Sequence, residues 1–239
     1  AGAPAVYAEA DMPPGFRRAA AEIGADLYHL GDDYDYSGAE QQWSWRCGDA
    51  QRHGLPIPAM RGGYQLQNAA GVLTVLHLLR RQLPVPQEAV RLGLLHARLP
   101  GRFQVVGGEP LVILDVAHNR EAAAALAATL RTLPRRGKLY AVFSMFADKP
   151  IRDVVAAVDE LVDCWHLYAL ASNRGCSGAE LNAVVQRQAG AHKTVLHGSL
   201  AEAFAAAQRG STAADAILVF GSFEVVGEAL HHLGIGSPQ

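Results

Sequence analysis

From residue 103 onward the chain alternates between short, mostly apolar runs and longer amphipathic stretches, and this restricts its fold more than any other feature. The runs occupy residues 103–106, 111–114, 139–144, 165–169, 194–197 and 216–220. Residues 120–133, 151–162, 177–188, 200–208 and 225–233 follow them in turn and read as helices, with Ser177 and Glu180 at the spacing of a capping box. Strands without polar alternation are buried on both faces, which happens in parallel sheets covered by helices. The link Gly107-Gly108-Glu109-Pro110 is too short for a crossover helix and predicts an antiparallel hairpin. The expected fold is α/β and Rossmann-like: a mostly parallel sheet with one antiparallel hairpin strand, and helices on both faces because crossovers are right-handed.

The first 98 residues have a different rhythm. Short strands are expected at 3–7 and 26–30, with a helix at 16–23 between them. The acidic, Gly-bounded segment 31–38 reads as a loop, whereas Trp43, Trp45 and Cys47 alternate as in a strand. Residues 55–63 are rich in Pro and Gly and read as punctuation, followed by helices at 65–82 and 87–97. Leu99-Pro100-Gly101 then breaks the chain, so the expected domains are 1–98 and 99–239. A strand so close to Ala1 is what a segment excised from a longer chain would show.

Composition excludes several classes. Half of the 239 residues are apolar, enough for a sizeable core. The net charge is −2 and the basic residues are scattered, which argues against nucleic-acid binding. No apolar stretch is long enough to span a membrane, and no secretory leader pattern opens the sequence. Cys47, Cys164 and Cys176 lack disulfide or metal spacing and are expected to be reduced thiols of a cytoplasmic protein. The ten histidines show no ligand spacing, so none is taken as a metal ligand.

Ligands of open α/β sheets bind beyond the carboxyl ends of the strands, so the residues after each apolar run are the candidates. Asp115 ends one run, and His118-Asn119 opens the following helix. A carboxylate there can hold two sugar hydroxyls beside an anion-favouring helix terminus, or it can close a turn while Asn119 caps the helix. Arg102, at the domain junction, can grip a phosphate with its planar fork or form a linking salt bridge. Asn68 in the long helix can read a base or ribose edge, or simply face solvent. Asp148-Lys149 could position a charged substrate, but the favoured reading is that Asp148 caps the helix near Pro150. Gly221-Ser222 and Asn173-Arg174 are strand-to-helix loops of the same kind.

Taken together, these segments resemble the bacterial folylpolyglutamate synthase/dihydrofolate synthase family, within the Mur-ligase-like superfamily. LPIPAMRGGYQLQNAAG (55–71) resembles the family's LP-x-P-x-x-RG-x-x-Q-x-x-NAA segment, LPGRFQVV (99–106) its PGRF-Q junction, and ILDVAHN (113–119) its D(G/V)AHN signature. FSMFADK (143–149) resembles its G-M-x-x-DK segment with Ser144 in place of the usual Gly, and VFGSFEVV (219–226) its GS-containing final strand. The order and spacing agree along nearly the whole chain.

The resemblance implies an ATP-dependent ligase. ATP would phosphorylate the carboxylate of dihydropteroate or a folate, and the amine of L-glutamate would then displace phosphate to form an amide. Asn68, Arg102 and Asp115 would contact the nucleotide, His118 and Arg102 would serve the chemistry, and Ser222 and Lys149 would lie near substrate carboxylates. Residues 1–98 would be the C-terminal remnant of a P-loop-type α/β ATPase domain, and the full-length enzyme would be a monomer. The sequence contains no GxxxxGK(S/T), GxSxG or CxxC. The phosphate-binding loop and the Mg2+ ligands would therefore lie outside it, and the chain alone is expected to be inactive. Two alternatives remain open at this point: a non-catalytic nucleotide- or ligand-binding module, and another Mur-type ligase acting on peptidoglycan precursors.

Overall fold

A computed structural model describes residues 2–38, 41–134 and 137–236. The chain divides into two compact units, Ala1–Arg98 and Leu99–Gln239.

In the first unit, β1 (Pro4–Tyr7) and β2 (Asp26–His29) pair in parallel across helix α1 (Pro14–Glu22). A three-stranded antiparallel meander follows: β3 (Tyr34–Gly38), β4 (Gln42–Cys47) and β5 (Ala50–Pro56). Gly48, at φ +55, opens the two-residue turn between β4 and β5, where a hairpin needs a positive φ. Helices α2 (Gln65–Leu78) and α3 (Gln87–His96) complete the unit. Tyr34, Trp43, Trp45 and Leu55 pack with Ala69, Ala70 and Leu73 of α2 and Val90 of α3. Buried Trp45 donates its indole N–H to the Thr74 hydroxyl at 3.0 Å, and Trp43 donates to the Pro56 carbonyl at 2.9 Å, so both polar tips are satisfied in the core.

Two segments differ from expectation. Residues 34–38 form β3 rather than a loop, because Tyr34 points into the core while Asp35 turns outward to Arg46 at 3.3 Å. Asp35 is on the solvent side of the strand, whereas Asp32 and Asp33 precede it and bond to His29. Residues 50–56 form the edge strand β5, whose one fully buried side chain, Leu55, is too little to register as an apolar run. Pro56 is tolerated there because an edge strand need not donate outward. Helix α2 also ends sooner than expected, at Leu78, and continues as hydrogen-bonded turns through Gln82 and Leu83.

The second unit is built on a six-stranded sheet of β6 (Gln104–Gly107), β7 (Leu111–Asp115), β8 (Leu139–Phe143), β9 (Cys164–Tyr168), β10 (Thr194–His197) and β11 (Ala216–Phe220). The spatial order is β10-β9-β8-β11-β7-β6; β6 runs antiparallel to β7 and all other pairs are parallel. The helices are α4 (Arg120–Arg131), α5 (Ile151–Val158, extended by a 3-10 turn at Asp159–Leu161), α6 (Gly178–Ala189), α7 (Leu200–Gly210) and α8 (Phe223–His232). No helix among the described residues is long and apolar enough to cross a membrane.

Side-chain alternation assigns the helices to faces. Ile113, Ala141, Phe143, Leu218 and Phe220 pack with Leu126 and Leu130 of α4, Val154 and Val158 of α5, and Leu181 and Val185 of α6. Their neighbours Val112, Leu114, Val142, Ile217 and Val219 pack with Phe204 and Ala207 of α7 and Val225 and Ala229 of α8. Each fully buried aliphatic contributes about 1.5–3 kcal/mol. The division follows from handedness. The chain steps in one direction through β7, β8, β9 and β10, then returns to insert β11 between β8 and β7. Right-handed crossovers of opposite sense leave their helices on opposite faces. The chain therefore leaves β7 toward α4 on one face, the return crossover puts α7 on the other, and α8 after β11 packs beside α7, which opens a crevice at the carboxyl ends of β7 and β11.

Candidate functional site

The crevice is built from the loop after β7, the loop after β11 and the segment entering β6. Gly101 has φ +71, and a Cβ there would come within 2.7 Å of Val116 Cγ1 and 2.9 Å of Val226 Cγ1, so only glycine fits. Its carbonyl accepts the Val116 N–H at 2.8 Å. Phe103 is the one non-glycine residue among those described with positive φ, at +44. Its ring is buried in the α4-side core, and its N–H donates to Asp115 Oδ2 at 2.9 Å. Arg102 is thus held between two pinned residues with its side chain exposed. Among the described residues its guanidinium makes no hydrogen bond or ion pair; it lies 5.8 Å from the centre of the Phe223 ring.

Asp115 is 6% exposed. Oδ1 accepts the Ala117 N–H at 2.8 Å, closing the turn, while Oδ2 holds Phe103. Burial pushes its pKa up; the two backbone N–H donors and the charge of Arg102 oppose that shift. Each oxygen keeps one lone pair, so the carboxylate fastens the arginine loop and retains acceptor capacity at the crevice.

The His118 Nδ1 lies 2.8 Å from the Val116 carbonyl, which can only accept. Nδ1 therefore carries the proton in the neutral ring, and Nε2 presents its lone pair. The His118 ring lies 6.1 Å from Phe223. Asn119 caps α4 through the Ala122 N–H at 2.8 Å, and Ser222 caps α8 through the Val225 N–H at 3.1 Å. The Ser222 hydroxyl accepts in that cap and keeps its own proton to donate. Beyond it the Phe223 and Glu224 N–H groups, in the first turn, have no hydrogen-bond acceptor among the described residues.

Lys149 stands on a separate loop, after β8, 3.9 Å from the Asp148 carboxylate. Asp148 does not cap α5, whose N-cap is Pro150 without a side-chain bond. It accepts two bonds from Arg174 at 2.8 and 3.1 Å, clasping the β8–α5 loop to the loop before α6, and Arg174 also covers the Phe146 ring at 4.4 Å. Asn68 lies in the first unit on α2, exposed, with a 3.5 Å contact to Gln65. Grooves between α4 and α5 (Arg120, Arg131, Asp153) and between α5 and α6 (Arg152, Arg187) contain none of these candidates. Sequence reading overlooked Phe223; an aromatic directly after the Gly-Ser of a strand-to-helix loop was the available signal.

No group of three His, Cys, Asp or Glu that could hold a metal occurs among the described residues. The densest histidine cluster is His166 and His197, with Nδ1 and Nε2 at 3.0 Å, beside Cys164 and stacked on Tyr140. Burial, then the charges of His197 and Arg209, push the His166 pKa down to about 4. A depressed imidazole pKa means the unfolded chain binds the extra proton. Stability is therefore full above pH ~6.5 and falls as pH drops toward 4, by on the order of 3 kcal/mol for this group. Urea midpoints at pH 7.5 and 4.5 should show this drop, and H166F should reduce it. Equal pH dependence in the two proteins would exclude His166 as its source.

A mostly parallel sheet with one antiparallel edge strand, a crevice at its topological switch point, and an arginine, a histidine and an uncovered helix terminus around that crevice define a Rossmann-like domain suited to an anionic ligand. The chain belongs to the Mur ligase family: residues 101–223 match its glutamate ligase domain. It is 34% identical to the dihydrofolate synthase/folylpolyglutamate synthase of Escherichia coli K12 over 95% of this chain and 51% of that protein. The E. coli FolC structure in complex with DHPP and ADP superposes with a TM-score of 0.87 at 33% identity, covering 97% of this chain and 53% of that one. A bifunctional folylpolyglutamate synthase/dihydrofolate synthase solved with Mn, AMPPNP and L-glutamate gives a TM-score of 0.86 at 38% identity, again covering 97% and 53%. The chain spans about half the length of the curated relatives it matches.

Proposed function

We propose that the chain is the C-terminal half of an ATP-dependent ligase that joins L-glutamate to dihydropteroate, tetrahydrofolate or both through an acyl phosphate. In this reading residues 1–98 are the end of the ATPase domain, and the phosphate-binding loop and Mg2+ ligands lie outside this sequence. The observation that carries it is Arg102: rigidly based, exposed and without a hydrogen-bond or ion-pair partner among the described residues, with its guanidinium 5.8 Å from the ring of Phe223, the first residue of α8. That arrangement suits a phosphoryl group, whose charge a planar guanidinium and fixed backbone donors can share.

The other residues take complementary parts. The remaining lone pairs of Asp115 accept from ribose hydroxyls, and Asn68, on the first unit, is read as a nucleotide-binding residue from its place in the family's Q-x-x-NAA segment. ATP supplies the phosphoryl group that activates the pteroate or folate carboxylate. Glutamate must attack as a free amine, and the outward Nε2 of His118 can take its proton. The Ser222 hydroxyl and the α8 terminus suit a substrate carboxylate, and Lys149 adds positive charge from the next loop. The full-length protein is read as a cytoplasmic monomer.

The test is a chimera joining the N-terminal half of the E. coli relative to this chain. It should form ADP in the presence of dihydropteroate only when glutamate is added. R102A should lower its kcat/KM by about 10²–10³. The 239-residue chain alone should show no turnover. A folded chimera that ignores folate-type acids but uses peptidoglycan precursors would replace this reading with that of a cell-wall ligase.

A further inference from the structure

We infer that Phe223 is a positioning residue for Arg102, holding the guanidinium in place while leaving all of its in-plane donors free for an anion. The inference rests on the reading of Arg102 as an anion-gripping group. Phe223 is the first residue of α8 and is 61% exposed, which no packing role in the core explains. Its ring lies 5.8 Å from the Arg102 guanidinium carbon and 6.1 Å from the His118 ring, so one exposed aromatic stands beside two of the residues assigned to the chemistry. Chemistry favours this partner over a carboxylate. A carboxylate would fix the arginine by occupying its donors and cancelling its charge. An aromatic ring attracts the cation through its face and leaves the fork unoccupied. The backbone on either side of Arg102 is already immobilised by Gly101 and Phe103, so the side-chain torsions are the freedom left for Phe223 to restrict.

The experiment uses the 239-residue chain with inorganic tripolyphosphate as probe. In the ligand-free protein, NMR signals of the Arg102 Nε–H and the His118 ring should carry ring-current shifts that disappear in F223L, while the thermal midpoint stays put. Calorimetric affinity for tripolyphosphate should fall about two- to fivefold in F223A, the range of an exposed cation–aromatic contact. It should recover in F223Y, and F223A should have no further effect in an R102A background. Unchanged Arg102 signals in F223L, or additive effects of F223A and R102A, would overturn the inference. Ring-current shifts lost as expected, in a wild-type chain that does not bind tripolyphosphate, would support the stacking and instead overturn the assignment of Arg102 to phosphate.

Discussion

Replacing Gly221 with alanine is expected to destabilise the second unit by at least about 3 kcal/mol, combining the cost of a forbidden backbone region with that of overpacking a core. Gly221 follows β11 at φ +128, a conformation closed to L side chains, and the added methyl would collide with the Ser144 carbonyl at the end of β8. The obstruction is a Cβ against a backbone carbonyl just beyond the carboxyl ends of two neighbouring strands, so no side-chain rotation relieves it. Hydrogen exchange resolves the effect by element. Peptides from β8 and β11 should lose protection in G221A, while those from β4 and β5 stay unchanged as an internal control. A loss below about 0.5 kcal/mol would show that the loop can relax, contrary to this argument. The same close approach sets where the chain leaves β11, and so where Ser222 and Phe223 are presented.

Asp115→Ala is the second large expected loss, about 2–5 kcal/mol, because it leaves the N–H groups of Phe103 and Ala117 buried without acceptors. Asp115→Asn should fall between wild type and alanine, since an amide offers an oxygen to one donor and a mismatched NH2 to the other. Denaturant unfolding of the three proteins would check this ranking; an alanine variant as stable as wild type would mean that water replaces the carboxylate. In the active chimera, D115N should also lower turnover by more than its stability loss explains, since the carboxylate fastens the arginine loop as well as facing the nucleotide.

Much of the second unit was legible because its signal is physical and local. Runs such as residues 111–114 and Ala216–Phe220 are apolar throughout, and burial on two faces leaves few other structures for them. The first unit was harder to read. Tyr34-Asp35-Tyr36 alternates, but Asp35 with the preceding Asp32 and Asp33 imitates a loop, and β5 has one deeply buried side chain. At the site, residue identities could be read but partners could not. Asp115 was open to two roles, and only the fold shows both oxygens meeting backbone N–H groups. Asp148 looked like a cap and is a clasp for Arg174, a partner brought near by the side-by-side placement of β8 and β9. Phe223 meets Arg102 because β11 inserts beside β7, and no local pattern announces that insertion.

The place of β11 also has a consequence for biosynthesis. It lies between β7 and β8 in space yet is the last strand of its sheet to leave the ribosome. Until it emerges, the β6–β7 hairpin and the β8-β9-β10 ribbon are two separate fragments with apolar edges facing a gap one strand wide. The unit cannot close progressively behind the ribosome as a domain with sequential strand order would. A nascent chain stalled before Ala216 should accordingly be a client for chaperones that shield open sheet edges, and release of that final segment should be the step that completes the fold.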